Sequence, residues 1–237
     1  MVFHEMGPAD GRPVILIHGL FSNAQTNWIK YGHAAKLAAK GRRVIMPDLR
    51  AHGQSARSHD KADYPVDILA DDNLGLIAQL GLAPGAYDLG GYSLGARTTA
   101  RMLTRGATPG KAMLAGMGLE GLLDLKNRAD FFRRVLEGAD THEKFSSAWM
   151  AEAFLKTTGG DAKALLLLLD CFPAVAREAL AGFSMPILVL TGAQDNDNGS
   201  ARALADAIPH ATYAEVPGNH MSSVTQPDMG DALARWF

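Results

Sequence analysis

The sequence predicts an α/β fold: a mostly parallel central sheet flanked by helices, with a helical insertion carried between two of its strands. Three observations lead there. Continuous apolar runs rich in β-branched residues alternate with helix-like segments, the pattern of a parallel sheet covered on both faces. One of those runs ends in Gly91-Tyr92-Ser93-Leu94-Gly95, a G-x-S-x-G turn between a strand and a helix. From 119 to 184 the alternation stops, leaving only helical segments rich in Leu, Ala and charged residues. The 237 residues therefore divide into a core of 1–118 and 185–237 and a helical insertion of 119–184.

The elements follow in order. Val2 to Glu5 reads as a short strand and Pro8-Ala9-Asp10-Gly11 as a turn. Pro13 to Ile17 is an unbroken apolar run, as a strand buried on both faces requires, and Arg43 to Met46 is a second. Between them, a helix-like stretch from Tyr31 to Ala39 stops at Gly41. From Val66 to Leu80 apolar residues recur at helical spacing until Gly81. Tyr87 to Leu89 enters the serine turn, Ala96 to Arg105 leaves it as a helix, and Lys111 to Ala115 is another short strand. Helical segments of the insertion fall at Leu122 to Leu136, Lys144 to Leu155 and Ala162 to Leu169. Strands resume at Pro186 to Thr191 and Thr212 to Val216, with helices at Ser200 to Ala207 and Asp228 to Phe237.

Composition narrows the function classes. With 47% hydrophobic and 20% charged residues, the chain can bury a sizeable core. A net charge of −2 without a basic run provides no footprint for nucleic acid and no polybasic surface for a membrane. The single cysteine, Cys171, excludes an intrachain disulfide and a cysteine-based zinc cluster. No metal or other cofactor is expected. The N-terminus lacks the charged and apolar regions of a signal peptide, and the richest apolar run, Ala164 to Leu169, is too short to span a bilayer. The expectation is a cytoplasmic protein whose partner is a small molecule.

The serine turn carries the chemistry. Holding a hydroxyl out at the end of a strand forces the serine into a strained backbone, and the residues two before and two after it pass too close for a Cβ. Gly91 and Gly95 occupy those positions. The helix that follows aims its free N–H groups at the same place, where an oxyanion can sit. A serine hydroxyl still needs a base, and the base an orienting acid. In an open parallel sheet such groups lie just beyond the carboxyl ends of strands. His220 follows one strand and Asp195 another; Asp197, Glu120 and Asp124 are alternative acids by the same criterion. His18 and His52 read as braces of their loops. Gly116-Met117-Gly118-Leu119-Glu120-Gly121 spells a dinucleotide-binding pattern, but no later strand is placed to carry an acidic ribose ligand.

The sequence resembles the α/β-hydrolase fold family over essentially its whole length. The resemblance rests on His18-Gly19 after the first long buried strand, Asp48 to Ser55 after the next, and the Gly91 to Gly95 turn. Gly192-Ala193-Gln194-Asp195 and Gly218-Asn219-His220 complete the order. It implies Ser93 as nucleophile, His220 as base and then acid, and Asp195 as the residue that orients the imidazole. It also implies an oxyanion hole built from the backbone N–H groups of Leu20 and Leu94. Ala51 stands where the family usually has glycine, and the chain starts almost on a strand, which leaves the first sheet edge undefined.

On this reading, 119–184 is a cap over the strand ends, and with Met117 just before it offers Phe131, Phe132, Phe145, Trp149, Met150 and Phe154 as apolar surface. Phe21, Trp28 and Trp149 are the expected pocket residues. No cluster of Arg or Lys is visible for an anionic acyl group, so the expected substrate is a small, mostly apolar carboxylic ester or lactone. A thioesterase, a carbon–carbon bond hydrolase, a perhydrolase and a slow-turnover binding protein or receptor use the same residues. Oligomeric state is left open.

Overall fold

The structure, a computed structural model, describes residues 1–124 and 126–237. Its strands are β1 (Val2–Met6), β2 (Arg12–Ile17), β3 (Arg42–Asp48), β4 (Asp88–Tyr92), β5 (Ala112–Ala115), β6 (Ile187–Gly192) and β7 (Ala211–Val216). The helices are α1 (His33–Ala38), α2 (Ile68–Gln79), α3 (Leu94–Thr104), α4 (Leu119–Leu123), α5 (Lys126–Glu137), α6 (Ser147–Thr157), α7 (Ala162–Leu169), α8 (Arg177–Leu180), α9 (Ala201–Ala207) and α10 (Pro227–Trp236).

The strands form one seven-stranded sheet in the order β1-β3-β2-β4-β5-β6-β7. Every neighbouring pair from β3 to β7 is parallel. The edge that the sequence left undefined is filled by β1, which runs antiparallel along β3 with Val2 opposite Asp48 and Met6 opposite Val44. The chain reaches β2 only by crossing past β3, so no hairpin joins the first two strands.

Side chains alternate across the sheet, as a strand period of two dictates. Val14 and Leu16 of β2 face one side, where they pack with Trp28, Leu37, Met229 and Leu233 beneath α1 and α10. Ile15 and Ile17 face the other, in a core shared with α2, α3 and α9. Leu122, Val135 and Leu165 of the segment between β5 and β6 join this second core, so that segment packs as part of the same body. Among its described residues it carries α4 to α8 and no strand. The helix expected from Leu122 to Leu136 is divided into α4 and α5; Leu125 lies outside the described residues. No helix among the described residues is long and apolar enough to cross a membrane.

At the end of the sheet away from Ser93, one buried carboxylate ties three strands. Asp88, at the start of β4, accepts from Arg12 Nε and Nη2 of β2, both at 2.8 Å, and from the Lys111 amide leading into β5 at 3.0 Å. Its side chain is 2% exposed. Asp88→Ala strips the acceptor from a buried amide while leaving the half-exposed arginine free to rehydrate. We expect a loss of about 2 kcal/mol, read by urea unfolding.

Candidate active site

Ser93 sits at the apex between β4 and α3 with φ 55° and ψ −111°, outside the regions an L-residue favours. Two close approaches hold it there. A Cβ on Gly95 would land on the carbonyls of Ile17 and His18, where α3 crosses the end of β2. One on Gly91 would strike the backbone of Gly95. Ser93 precedes the first residue of α3, so the Leu94 amide stands at the open N-terminus beside the hydroxyl.

The loops after β6 and β7 deliver the next two groups. His220 Nε2 accepts from the Ser93 hydroxyl at 3.0 Å, and its Nδ1–H donates to Asp195 Oδ2 at 2.8 Å. The imidazole and carboxylate side chains are 8% and 3% exposed. Asp195 Oδ1 also accepts the Asp197 amide at 3.2 Å, which fixes the carboxylate plane. The structure places the alternative acids elsewhere. Asp197 pairs with Arg128 at 2.9 Å, Glu120 accepts the Ser200 amide at 2.7 Å ahead of α9, and Asp124 is exposed beyond α4.

The sequence reading did not single out Tyr92. Its hydroxyl donates to the His220 carbonyl at 2.6 Å and shares a hydrogen bond with Ser223 Oγ at 2.9 Å. Burial pushes the phenol pKa well up, so it stays a donor. The available signal was position: the residue before the turn serine faces the α1 and α10 side of the sheet, under the histidine loop.

A second pair of histidines shapes the loop opposite. His18 Nδ1–H donates to the Gly19 carbonyl and its Nε2 accepts the Leu49 amide at 2.9 Å. His52 Nδ1–H donates to the Arg50 carbonyl, and its Nε2 accepts the Phe21 amide at 3.2 Å. His52 therefore braces the His18 loop as well as its own. Asn27 Oδ1 accepts the Gly19 amide at 3.0 Å. The amides on both sides of Leu20 are thus engaged, and Phe21 is held at φ 62°. Ala51, expected to be a minor departure, is buried at φ 66°, a left-handed conformation that costs an alanine roughly 1–2 kcal/mol.

The site geometry coincides with a family match. The model of the alpha/beta hydrolase family matches residues 14–236. The chain belongs to the alpha/beta hydrolase family. It is 40% identical over 91 residues to the dihydrolipoyllysine-residue acetyltransferase component of the acetoin cleaving system of Pseudomonas putida, a match covering 38% of this chain and 22% of that one. It is 38% identical over 92 residues to the mouse (Mus musculus) sn-1-specific diacylglycerol lipase ABHD11, covering 39% and 28%. The chain thus matches about a quarter of the length of these curated relatives. Among solved structures, an esterase from Thermogutta terrifontis superposes with a TM-score of 0.76 at 23% identity, covering 99% of this chain and 92% of that one.

In this alpha/beta hydrolase two cavities flank Ser93. One, about 480 Å³ with its mouth, lies on the His220 side between Thr26, Tyr31, Phe154 and Met221. The other, about 400 Å³ with its mouth, lies between α3 and α5 and is walled by Met117, Phe132, Phe172 and Asn198, with two arginines. Leu20 borders both. None of the three expected pocket side chains lines either one. Trp28 is wholly buried on the α1 side, because the π-helical turn Gln25–Ile29 points Asn27 to the loop and Trp28 to the core. Phe21 is 2% exposed, with its ring 5.2 Å from that of Phe132, and the Trp149 ring lies tilted 5.4 Å from that of Phe145 at the start of α6. Phe132 and Phe154 take their place.

Burial holds His18 down at about 4 and His52 at about 3, below the ordinary 6.5. Above pH 6.5 both folded and unfolded chains are neutral at these rings. Below it the unfolded chain takes up protons that the folded one refuses, so stability falls until the folded values are reached. The expected loss at pH 5 is about 2 kcal/mol for each histidine taken alone. Urea unfolding at pH 7 and pH 5 measures it, and His52→Gln, which keeps an acceptor for Phe21, should flatten the dependence.

Proposed function

We propose that the protein is a carboxylic ester hydrolase acting through an acyl-enzyme on Ser93. The observation that carries the proposal is the continuous hydrogen-bonded chain from Asp195 through His220 to a serine held in a strained backbone between two cavities.

His220 Nε2 takes the proton of Ser93 as Oγ attacks the ester carbonyl. Asp195 keeps the imidazole in the tautomer with a proton on Nδ1 and stabilises the cation that forms. The oxyanion lies against the amides of Leu94 and Leu20, each such donor being worth roughly 3–4 kcal/mol of barrier. His220 then gives its proton to the departing alkoxide. Water attacks the acyl-enzyme, His220 takes its proton and returns one to Ser93 as the acid leaves. Because His220 must reach the leaving oxygen, the alcohol occupies the cavity at Tyr31 and Met221, and the acyl chain the cavity between α3 and α5. Helices α4 to α8 act as the cap over both. Thr158 Oγ1 ties this cap to the Leu20 loop by donating to the Phe21 carbonyl at 2.6 Å. A lactone fits the same two cavities as an ester whose alcohol and acyl parts are joined.

Ser93→Ala should lower kcat/KM on 4-nitrophenyl butyrate by a factor on the order of 10³ or more, and Asp195→Asn by a similar factor. A fluorophosphonate probe should add its mass to the peptide containing Ser93. Equal slow hydrolysis by wild type and Ser93→Ala would return the protein to the binding-protein class.

A further inference from the structure

Arg97 lies one helical turn beyond Ser93 on α3 and is 5% exposed. Its Nη2 donates to the Gly121 carbonyl, while the buried Nη1 has no partner among the described residues. Gly121 packs against Met117 and Asn198, which wall the α3–α5 cavity, so the guanidinium head belongs to that cavity. More exposed arginines end on carboxylates: Arg12 on Asp88, Arg50 on Asp72, Arg101 on Asp67. Arg97 does not. Its pKa is pushed down to about 10 by burial, with no carboxylate acting against the shift, and it remains charged at neutral pH.

A second cation borders the same space. Arg128 of α5 lines the cavity, with its guanidinium 4.9 Å from the ring centre of Phe132 and paired with the half-exposed Asp197. Among the described residues the cavity wall contains two arginines and no acidic side chain. An isolated buried cation is unfavourable until an anion shares its hydrogen bonds, and an arginine fork suits a carboxylate.

We infer that the cavity between α3 and α5 receives a carboxylate at the far end of the acyl chain, seated on Arg97 Nη1 with Arg128 at its side. The substrate class is then a monoester of a short dicarboxylic acid: apolar along Leu20, Met117, Phe132 and Phe172, and anionic at its tip. This rests on the ester-hydrolase reading of Ser93 and specifies its acyl group. Sequence reading missed it because Arg97 and Arg128 are far apart in the chain and line one cavity only in the folded protein.

The test compares mono-4-nitrophenyl esters of succinic, glutaric and adipic acid with their methyl-capped counterparts, subtracting uncatalysed hydrolysis. For at least one length, the free carboxylate should raise kcat/KM about tenfold or more over the capped ester. Arg97→Met should collapse that ratio, Arg97→Lys should keep part of it, and Arg128→Gln should lower it less. The matching dicarboxylate should inhibit 4-nitrophenyl butyrate hydrolysis competitively where its diamide does not. Should Arg97→Met fail to melt cooperatively, the wild-type ratio, Arg128→Gln and the inhibition decide. Capped esters hydrolysed as well as free ones at every length, or an unchanged ratio in a folded Arg97→Met, overturns this inference alone. No hydrolysis of either set overturns the ester-hydrolase reading and this inference with it.

Discussion

The contact on which the site depends is between backbones: the first turn of α3 pressed against the carbonyl end of β2 at Gly95. A helix this close to a sheet leaves no room for a Cβ, and the short path from β4 into α3 then forces Ser93 to positive φ. A residue in such a conformation costs on the order of 1–3 kcal/mol and persists only where its surroundings over-determine it. Here they are the central strands of a seven-stranded sheet, buried on both faces. The sheet supplies the stability that the turn consumes, and the hydroxyl emerges in a fixed direction.

Around that fixed point the remaining groups are held by polar contacts that are themselves buried. Tyr92 grips the backbone of the His220 loop from beneath. His18, His52 and Asn27 between them engage the amides of Gly19, Phe21 and Leu49. These bonds require neutral imidazoles, each with one donor and one acceptor nitrogen, and burial guarantees that state. The site is therefore built from four chain segments far apart in sequence, and the Leu20 and His220 loops among them are held by side chains outside the Ser93–His220–Asp195 chain.

How much of this could be read from the chain follows from where the information lies. Local patterns carried far: the apolar runs that become β2, β3 and β6, the glycines around Ser93, and the positions of Asp195 and His220 just after strands are all visible within a few residues. The partner of β1 was not visible, because strand pairing across an intervening element leaves no local pattern. The orientation of Trp28 was equally hidden, since it hangs on a π-helical turn that shifts the register by a fraction of a turn. Ala51 in place of the family's usual glycine reads as a minor backbone change, and only its dihedral reveals the cost. The two arginines beside Ser93 are ordinary helix residues until folding brings them to the wall of one cavity.

The segment of residues 116–186 separates β5 from β6, which are neighbours in the sheet. During synthesis, β1 to β5 can pair among themselves as they emerge, but the outer edge of β5 stays open until the intervening helices and β6 have been made. An open apolar strand edge is a template for pairing with another chain. The protein's exposure to misassembly is thus concentrated in one interval of translation, and the delivery of β6 and β7, which carry Asp195 and His220 into place, ends that exposure and completes the site together.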